Sequence, residues 1–109
     1  MKSPSLGGFE ELVLLTVAAQ HNRAYGVSIK ESLEEHLGKK VSISAIHVAL
    51  KRMSEKGFVQ SEFGGITQDR GGRRKKFYII TAAGKAALDR QYEIRTNIYR
   101  QIPKLSFGG

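Results

Sequence analysis

The sequence predicts a mostly helical α+β domain in which a two-stranded ribbon separates three N-terminal helices from a fourth helix. Residues 58–63 and 76–81 are short apolar segments that flank a loop containing Arg70-Gly71-Gly72-Arg73-Arg74-Lys75. Apolar residues recur at helical spacing before and after this ribbon. Three helices followed by a basic ribbon make a winged helix-turn-helix, which we assign to residues 1–81.

The positive charge of the chain is concentrated in its second half. The 109 residues carry a formal net charge of +8. Through His36, five acidic residues outnumber three basic ones, whereas the remainder holds fifteen basic and five acidic residues. Such a local positive field favours an anionic partner. A solvated surface that only aids solubility is the alternative.

The first two helices are predicted over about Gly8 to Gln20 and Gly26 to Leu37. The first is apolar around most of its circumference, which predicts burial in a core or in a subunit interface. In the second, apolar residues recur every four positions along one face, and Gly38 is placed to cap its C-terminus.

Helix three begins near Ser42 or Ser44, since either hydroxyl can accept a hydrogen bond from a free backbone N–H. Ile46, Leu50 and Met53 share one face and are expected to pack inward. The opposite face is small in its first turn and basic in its second, which suits a DNA major groove. We predict DNA contacts from Ser42, Ser44, Ala45, His47, Lys51 and Arg52. A solvated helix face is the alternative for the charged residues, and a surface histidine for His47.

The loop of the ribbon adds Arg73, Arg74 and Lys75 to the predicted DNA contacts. Guanidinium groups on such a loop suit phosphates or a narrow minor groove, because the planar fork can donate two hydrogen bonds to one oxyanion. The adjacent glycines let the backbone turn sharply and approach DNA closely. For Tyr25 we favour packing against helix three or the ribbon over contact with DNA.

The fourth helix is predicted from a cap at Thr81 to about Gln101. Residues 82–109 therefore form a C-terminal helix and its tail. Its apolar stripe is longer than a small domain can cover, which favours pairing with a second subunit; folding back on its own domain is the alternative. The predicted dimerisation residues are Phe9, Leu88, Tyr92, Ile94, Ile98, Tyr99 and Ile102.

Several classes of function are not expected. The chain has no cysteine, so disulfide and thiolate chemistry are excluded. His21 and His36 lack companions at ligand spacing, and we expect no metal or other cofactor. No nucleophile elbow, P-loop or dinucleotide fingerprint occurs, so we expect no enzyme. The apolar run 12–19 is too short to span a bilayer and follows two glutamates, so we expect a cytoplasmic protein without a membrane partner.

The chain resembles the PadR family of bacterial transcriptional regulators over roughly residues 6 to 100. The correct order and spacing of several strings make this resemblance specific. They are Leu6-Gly7-Gly8-Phe9-Glu10, Ala24-Tyr25-Gly26, Ala49-Leu50-Lys51-Arg52-Met53, Lys56-Gly57-Phe58-Val59, Gly71-Gly72-Arg73-Arg74-Lys75-Lys76-Phe77-Tyr78 and Thr81-Ala82-Ala83-Gly84-Lys85.

The resemblance implies a homodimeric repressor of the short form, with a single helix after the wing. Helix three would read the major groove, the wing would contact the backbone or minor groove, and the last helix would dimerise. Some short members also bind flat hydrophobic compounds in a pore at the dimer interface. The family usually has Pro-Gly-Thr at the start of helix three and a tyrosine two residues later; here Ile43-Ser44-Ala45 and His47 stand instead. The family's base contacts therefore do not transfer.

We thus expect a sequence-specific, double-stranded DNA-binding regulator that recognises an inverted repeat as a homodimer. Two alternatives stay open. One is a sensor that captures a small hydrophobic effector at the dimer interface. The other is a winged-helix module that binds protein or RNA.

Overall fold

The computed structural model describes residues 6–66 and 74–104 of the chain. These residues form helices α1 (Gly8–Gln20), α2 (Gly26–Leu37) and α3 (Ile43–Glu55), strands β1 (Val59–Ile66) and β2 (Arg74–Ile80), and helix α4 (Ala82–Tyr99). Three helices, a two-stranded antiparallel ribbon and a further helix confirm the predicted winged-helix architecture.

Three helix ends lie where the sequence predicts them, because neighbouring residues satisfy the free backbone groups. The Ser42 hydroxyl accepts a hydrogen bond from the Ala45 N–H at 3.3 Å, so Ser42 rather than Ser44 caps α3. The Thr81 hydroxyl accepts one from a first-turn N–H of α4 at 3.0 Å. Gly38 ends α2 with a φ of 69°, a left-handed conformation that glycine adopts without strain.

The hydrophobic core lies where α1, α2 and α3 meet the base of the ribbon. Each large apolar side chain that leaves water there stabilises the fold by about 1.5–3 kcal/mol. α1 is central, because it contacts the other three helices and β2. The fully buried large side chains are Val13, Leu14 and Val17 of α1, Ile29 of α2, and Ile46, Leu50 and Met53 of α3.

The two strands pair antiparallel, with Val59 opposite Ile80 and Ile66 opposite Arg74. β1 has one residue more than β2 between these pairs, and the register shifts there as in a β-bulge. The strands reach further into the loop than the apolar segments predict. The backbone stays paired through glycines and basic residues that carry no alternating pattern.

A backbone bridge joins the ribbon to the helices. The N–H of Tyr78 on β2 donates a hydrogen bond to the carbonyl of Ala24, just before α2, at 2.8 Å. Ala24 is fully buried. The segment that precedes α2 is therefore held along β2, and this contact sets the orientation of the ribbon relative to the helices.

Helix α4 starts in contact with the core and then leaves it. A Cβ atom on Gly84 would lie 2.3 Å from the carbonyl oxygen of Phe58, so only glycine permits this close approach. Leu88 packs in the chain's own core and is 7% exposed. Leu88, a predicted dimerisation residue, therefore has little surface to offer a second copy. All 18 residues of α4 are described, and Gly84 and Leu88 are the two that are buried.

Candidate nucleic-acid interface

One face of α3 belongs to the core and the other faces solvent, as predicted. Ile46, Leu50 and Met53 are fully buried. The residues of the opposite face are exposed, apart from the half-buried Ala45: Ser44, His47, Val48, Lys51 and Arg52. The exposed face is short, and it changes from small and polar to basic along the helix. It can therefore offer hydrogen bonds at one end and positive charge at the other.

The first turn of α3 is placed by contacts with α2. The imidazole of His47 rests against Gly26 at the N-terminus of α2. A Cβ atom on Gly26 would lie 2.9 Å from Cε1 of His47, so any other residue there would displace the imidazole. The Ser42 hydroxyl accepts its capping hydrogen bond and keeps its own proton to donate. Both side chains are exposed.

The last turn of α3 is tied to α1 by Glu10, which the sequence patterns do not single out. Its carboxylate accepts hydrogen bonds from the Lys56 ammonium at 2.8 Å and from the Gly7 N–H at 3.3 Å. The guanidinium of Arg52 lies 3.9 Å from the same carboxylate. Burial raises the pKa of Glu10, but the Lys56 hydrogen bond, the Gly7 N–H and the nearby positive charges together lower this pKa below its ordinary value of 4.5.

The half of β2 nearest the loop carries an aromatic and basic cluster with Tyr25. The rings of Tyr25 and Phe77 meet edge to face, with centroids 5.8 Å apart. The Lys75 ammonium lies 4.4 Å from the centre of the Tyr25 ring. Tyr25 therefore packs against the ribbon, which confirms the structural role predicted for it. Arg73 and the side chain of Arg74 lie outside the part of the chain that is described.

A second exposed surface is apolar and lies away from the tip of the ribbon. Along α4 the exposed large apolar side chains are Tyr92, Ile94, Ile98 and Tyr99, and Ile102 follows the helix. Leu12 and Leu15 of α1 and Leu37 of α2 are exposed as well. All three line a groove of about 250 Å³ between α1 and α2. Leu12 and Leu37 also line a groove of about 370 Å³ that extends to the start of α3. Phe9 is half-buried against the core and borders the larger groove.

The described residues contain neither a cluster of metal ligands nor a membrane-spanning helix. Across 6–66 and 74–104, no three acidic, histidine or cysteine side chains are grouped so as to hold a metal ion. Within that part of the chain no helix has both the length and the apolar character needed to cross a membrane.

A winged helix-turn-helix with an exposed helix face beside a basic ribbon is typical of one class of protein, the DNA-binding regulators. The model of the transcriptional regulator PadR-like family matches residues 14–90. The chain therefore belongs to this family, whose members are transcription regulators and not enzymes. This confirms the resemblance drawn from the sequence and the expectation that the protein is not an enzyme.

Solved structures show the same fold. RosR from H. salinarum is 25% identical over 94% of this chain and 84% of its own, with a TM-score of 0.69. A PadR-like transcription factor from Bacteroides fragilis is 19% identical over 84% of both chains, with a TM-score of 0.69. A PadR family regulator from Clostridium difficile is 23% identical over 85% and 93%, with a TM-score of 0.66. Comparison with curated protein sequences gave no match.

Proposed function

We propose that the protein is a homodimeric transcriptional repressor that reads an inverted-repeat operator with α3 in the major groove. One observation carries the proposal: α3 buries all of its large apolar residues except Val48 and the half-buried Ile43, and presents a polar and basic face to solvent. A helix with this exposed face fits a groove that is lined by base edges and bordered by phosphates.

Along α3 the proposed roles follow the change in chemistry. Ser44, Ala45 and His47 lie in the first turns and would approach base edges. Lys51 and Arg52 lie one turn later and would neutralise phosphates beside the groove. His47 takes the place where the family usually has tyrosine, so the operator is expected to differ from those of typical members.

The ribbon supplies the second proposed contact. Arg73 and Arg74 would reach the DNA backbone or the minor groove from its loop end, and Lys75 would act beside them on β2. The bridge between Tyr78 and Ala24 supports this arrangement, because it holds the ribbon against the helix-turn-helix through backbone atoms. A ribbon so held can act together with α3 on one DNA molecule.

The apolar surface of α4 supports a dimer. Ile94 and Ile98 are 47% and 61% exposed in the single chain, and the apolar groove between α1 and α2 lies on the same molecule. Packing such surfaces against a second copy would remove them from water. The two α3 helices would then enter successive major grooves, about 34–36 Å apart. A small hydrophobic effector at that interface stays a prediction.

A salt series tests the proposed DNA contact. Fluorescence anisotropy is measured with the duplex upstream of the protein's own gene and with a shuffled duplex. Each phosphate contact contributes about 0.9 to the slope of log K against log salt concentration. Arg73→Ala combined with Arg74→Ala should weaken binding to both duplexes and lower this slope by about 1–2.

The matched control is Lys85→Ala combined with Arg100→Ala, which removes the same charge from α4. It should leave the slope within about 0.3 of the wild-type value, because neither side chain belongs to the proposed interface. Unchanged affinity in the Arg73 and Arg74 variant would contradict the role of the wing. Equal affinity for structured RNA would favour the alternative of an RNA-binding module.

A further inference from the structure

The segment around Tyr25 is fixed by backbone contacts on both sides. The N–H of Tyr25 donates a hydrogen bond to the Ser28 hydroxyl at 2.9 Å, and that hydroxyl donates to the side chain of Gln20 at 2.7 Å. The preceding residue, Ala24, is bridged to β2 through the N–H of Tyr78. The Cα of Tyr25 is therefore anchored both to α2 and to the ribbon.

The ring of Tyr25 is fixed as well, and it carries a cation. Phe77 of β2 meets the ring at an interplanar angle of 77°. The Lys75 ammonium lies 4.4 Å from the ring centre, within the distance of about 6 Å at which a cation is attracted by an aromatic face. Tyr25 is itself half-buried, so its ring has little freedom to move away.

The ring holds this cation without neutralising it. Among the described residues, no carboxylate lies within 4.0 Å of the Lys75 ammonium. By contrast, Arg52 and Lys56 share the carboxylate of Glu10. With respect to the described residues, the positive charge of Lys75 thus stays available for an anion.

The tyrosine that holds the cation is followed by a residue that touches α3. Gly26, the residue after Tyr25, lies against the imidazole of His47 on the outward face of α3. A duplex that lies along α3 and the ribbon together would run close to this segment. A phosphate of that duplex is the anion that the position of Lys75 fits best.

We propose that Tyr25 is a positioning residue, whose ring holds the Lys75 ammonium near the loop end of β2 for contact with a DNA phosphate. The inference rests on the proposed DNA binding. It assigns to the tyrosine of the Ala24-Tyr25-Gly26 string a part in recognition that acts through Lys75. Its hydroxyl group has no role in this contact.

The test is a double-mutant cycle on binding to a duplex of random sequence, measured by fluorescence anisotropy across a salt series. Random sequence suffices, because phosphate contacts do not depend on the bases. Lys75→Ala should lower the salt slope by about 0.9, the value of one phosphate. Tyr25→Leu should weaken binding about two- to fivefold, as expected for the loss of an exposed cation–aromatic contact. Tyr25→Phe, which keeps the ring, should bind within about twofold of the wild type.

The decisive variant combines Tyr25→Leu with Lys75→Ala. It should bind as Lys75→Ala does, because the ring acts only through the ammonium. If the losses of affinity in the two single variants add up in the double variant, the inference is overturned. The effect of Tyr25 would then arise from the fold and not from Lys75. A loss in Tyr25→Phe as large as in Tyr25→Leu would overturn it in favour of direct contact by the hydroxyl.

Failure of this inference can be distinguished from failure of the proposed function. If Lys75→Ala binds like the wild type while the Arg73 and Arg74 variant binds weakly, the inference falls and DNA binding stands. If the wild-type protein binds no duplex at low salt, both fall together. Thermal melting of each variant by circular dichroism shows whether it remains folded.

Discussion

Helices α3 and α4 differ in where their apolar residues lie. α3 buries four of its 13 residues in the core of its own chain, and most of its remaining surface is polar or basic. α4 buries two of its 18 residues and exposes two isoleucines and two tyrosines. The apolar face of α3 is thus covered by the chain, whereas that of α4 is largely uncovered.

This difference indicates different partners for the two helices. An exposed face with small, polar and basic side chains matches the edges and phosphates of a duplex. An exposed apolar face of comparable length matches another protein surface, because its burial there is favourable. Substitutions in the buried face of α3 should therefore affect folding, and those in its exposed face should affect DNA binding. Substitutions in the exposed apolar face of α4 should affect association.

The largest expected effect comes from the covered face of α3. Leu50→Ala should lower the free energy of unfolding by about 2–5 kcal/mol, because it leaves a cavity in the centre of the core. Urea unfolding followed by circular dichroism measures the change. Val48→Ala, on the exposed face of the same helix, should cost no more than about 0.5 kcal/mol. Equal losses at both positions would contradict the assignment of the two faces.

The next effect is on association through α4. Ile94→Glu combined with Ile98→Glu should convert the proposed dimer to a folded monomer, because both side chains are exposed in the single chain and two carboxylates would be buried without partners. Sedimentation velocity reports the mass. Arg100→Glu changes the net charge by the same amount and should remain dimeric. A double variant that still sediments as a dimer would refute this interface.

The smallest effect concerns the link between α1 and the end of α3. The pKa of Glu10 is lowered in the folded chain, so the stability it contributes is present above its ordinary pKa of 4.5 and is lost as the pH falls through the folded value. Glu10→Gln should therefore lower the free energy of unfolding at neutral pH by about 1 kcal/mol.

Urea unfolding at several pH values measures this change. The difference between wild type and Glu10→Gln should shrink as the pH falls from 4.5 through the lower pKa of the folded chain, because the carboxyl becomes protonated first in the unfolded and then in the folded state. A difference that is constant with pH would show that the carboxylate charge is not responsible. Glu31→Gln, an exposed position on α2, serves as the control.

Much of the fold could be predicted from short stretches of sequence. The bounds of α1 and α2 agree with their apolar patterns, and Ser42, Thr81 and Gly38 mark helix ends as expected. These signals are local, because each cap forms a hydrogen bond with a backbone group only three or four residues away. The extent of the ribbon was less predictable, because its outer part pairs through backbone atoms alone.

The candidate site was predicted less completely. The outward residues of α3 follow from helical spacing, once the buried face is known. The contact of Glu10 with Lys56 joins residues 46 positions apart, and neither the charge pattern nor the helix period contains that information. The sequence also does not show that Leu88 packs in the chain's own core, since its place in the apolar stripe of α4 does not indicate which turn touches the core.

The sequence by itself determined the order of elements, the basic ribbon, the two faces of α3 and the family, because these depend on composition, spacing and local hydrogen bonds. Only the tertiary structure decided that Tyr25 lies between Phe77 and Lys75 and that Glu10 joins α1 to α3. Such contacts arise when the core brings distant segments together. The geometry of packing, rather than any one stretch of the chain, decides which side chains then meet.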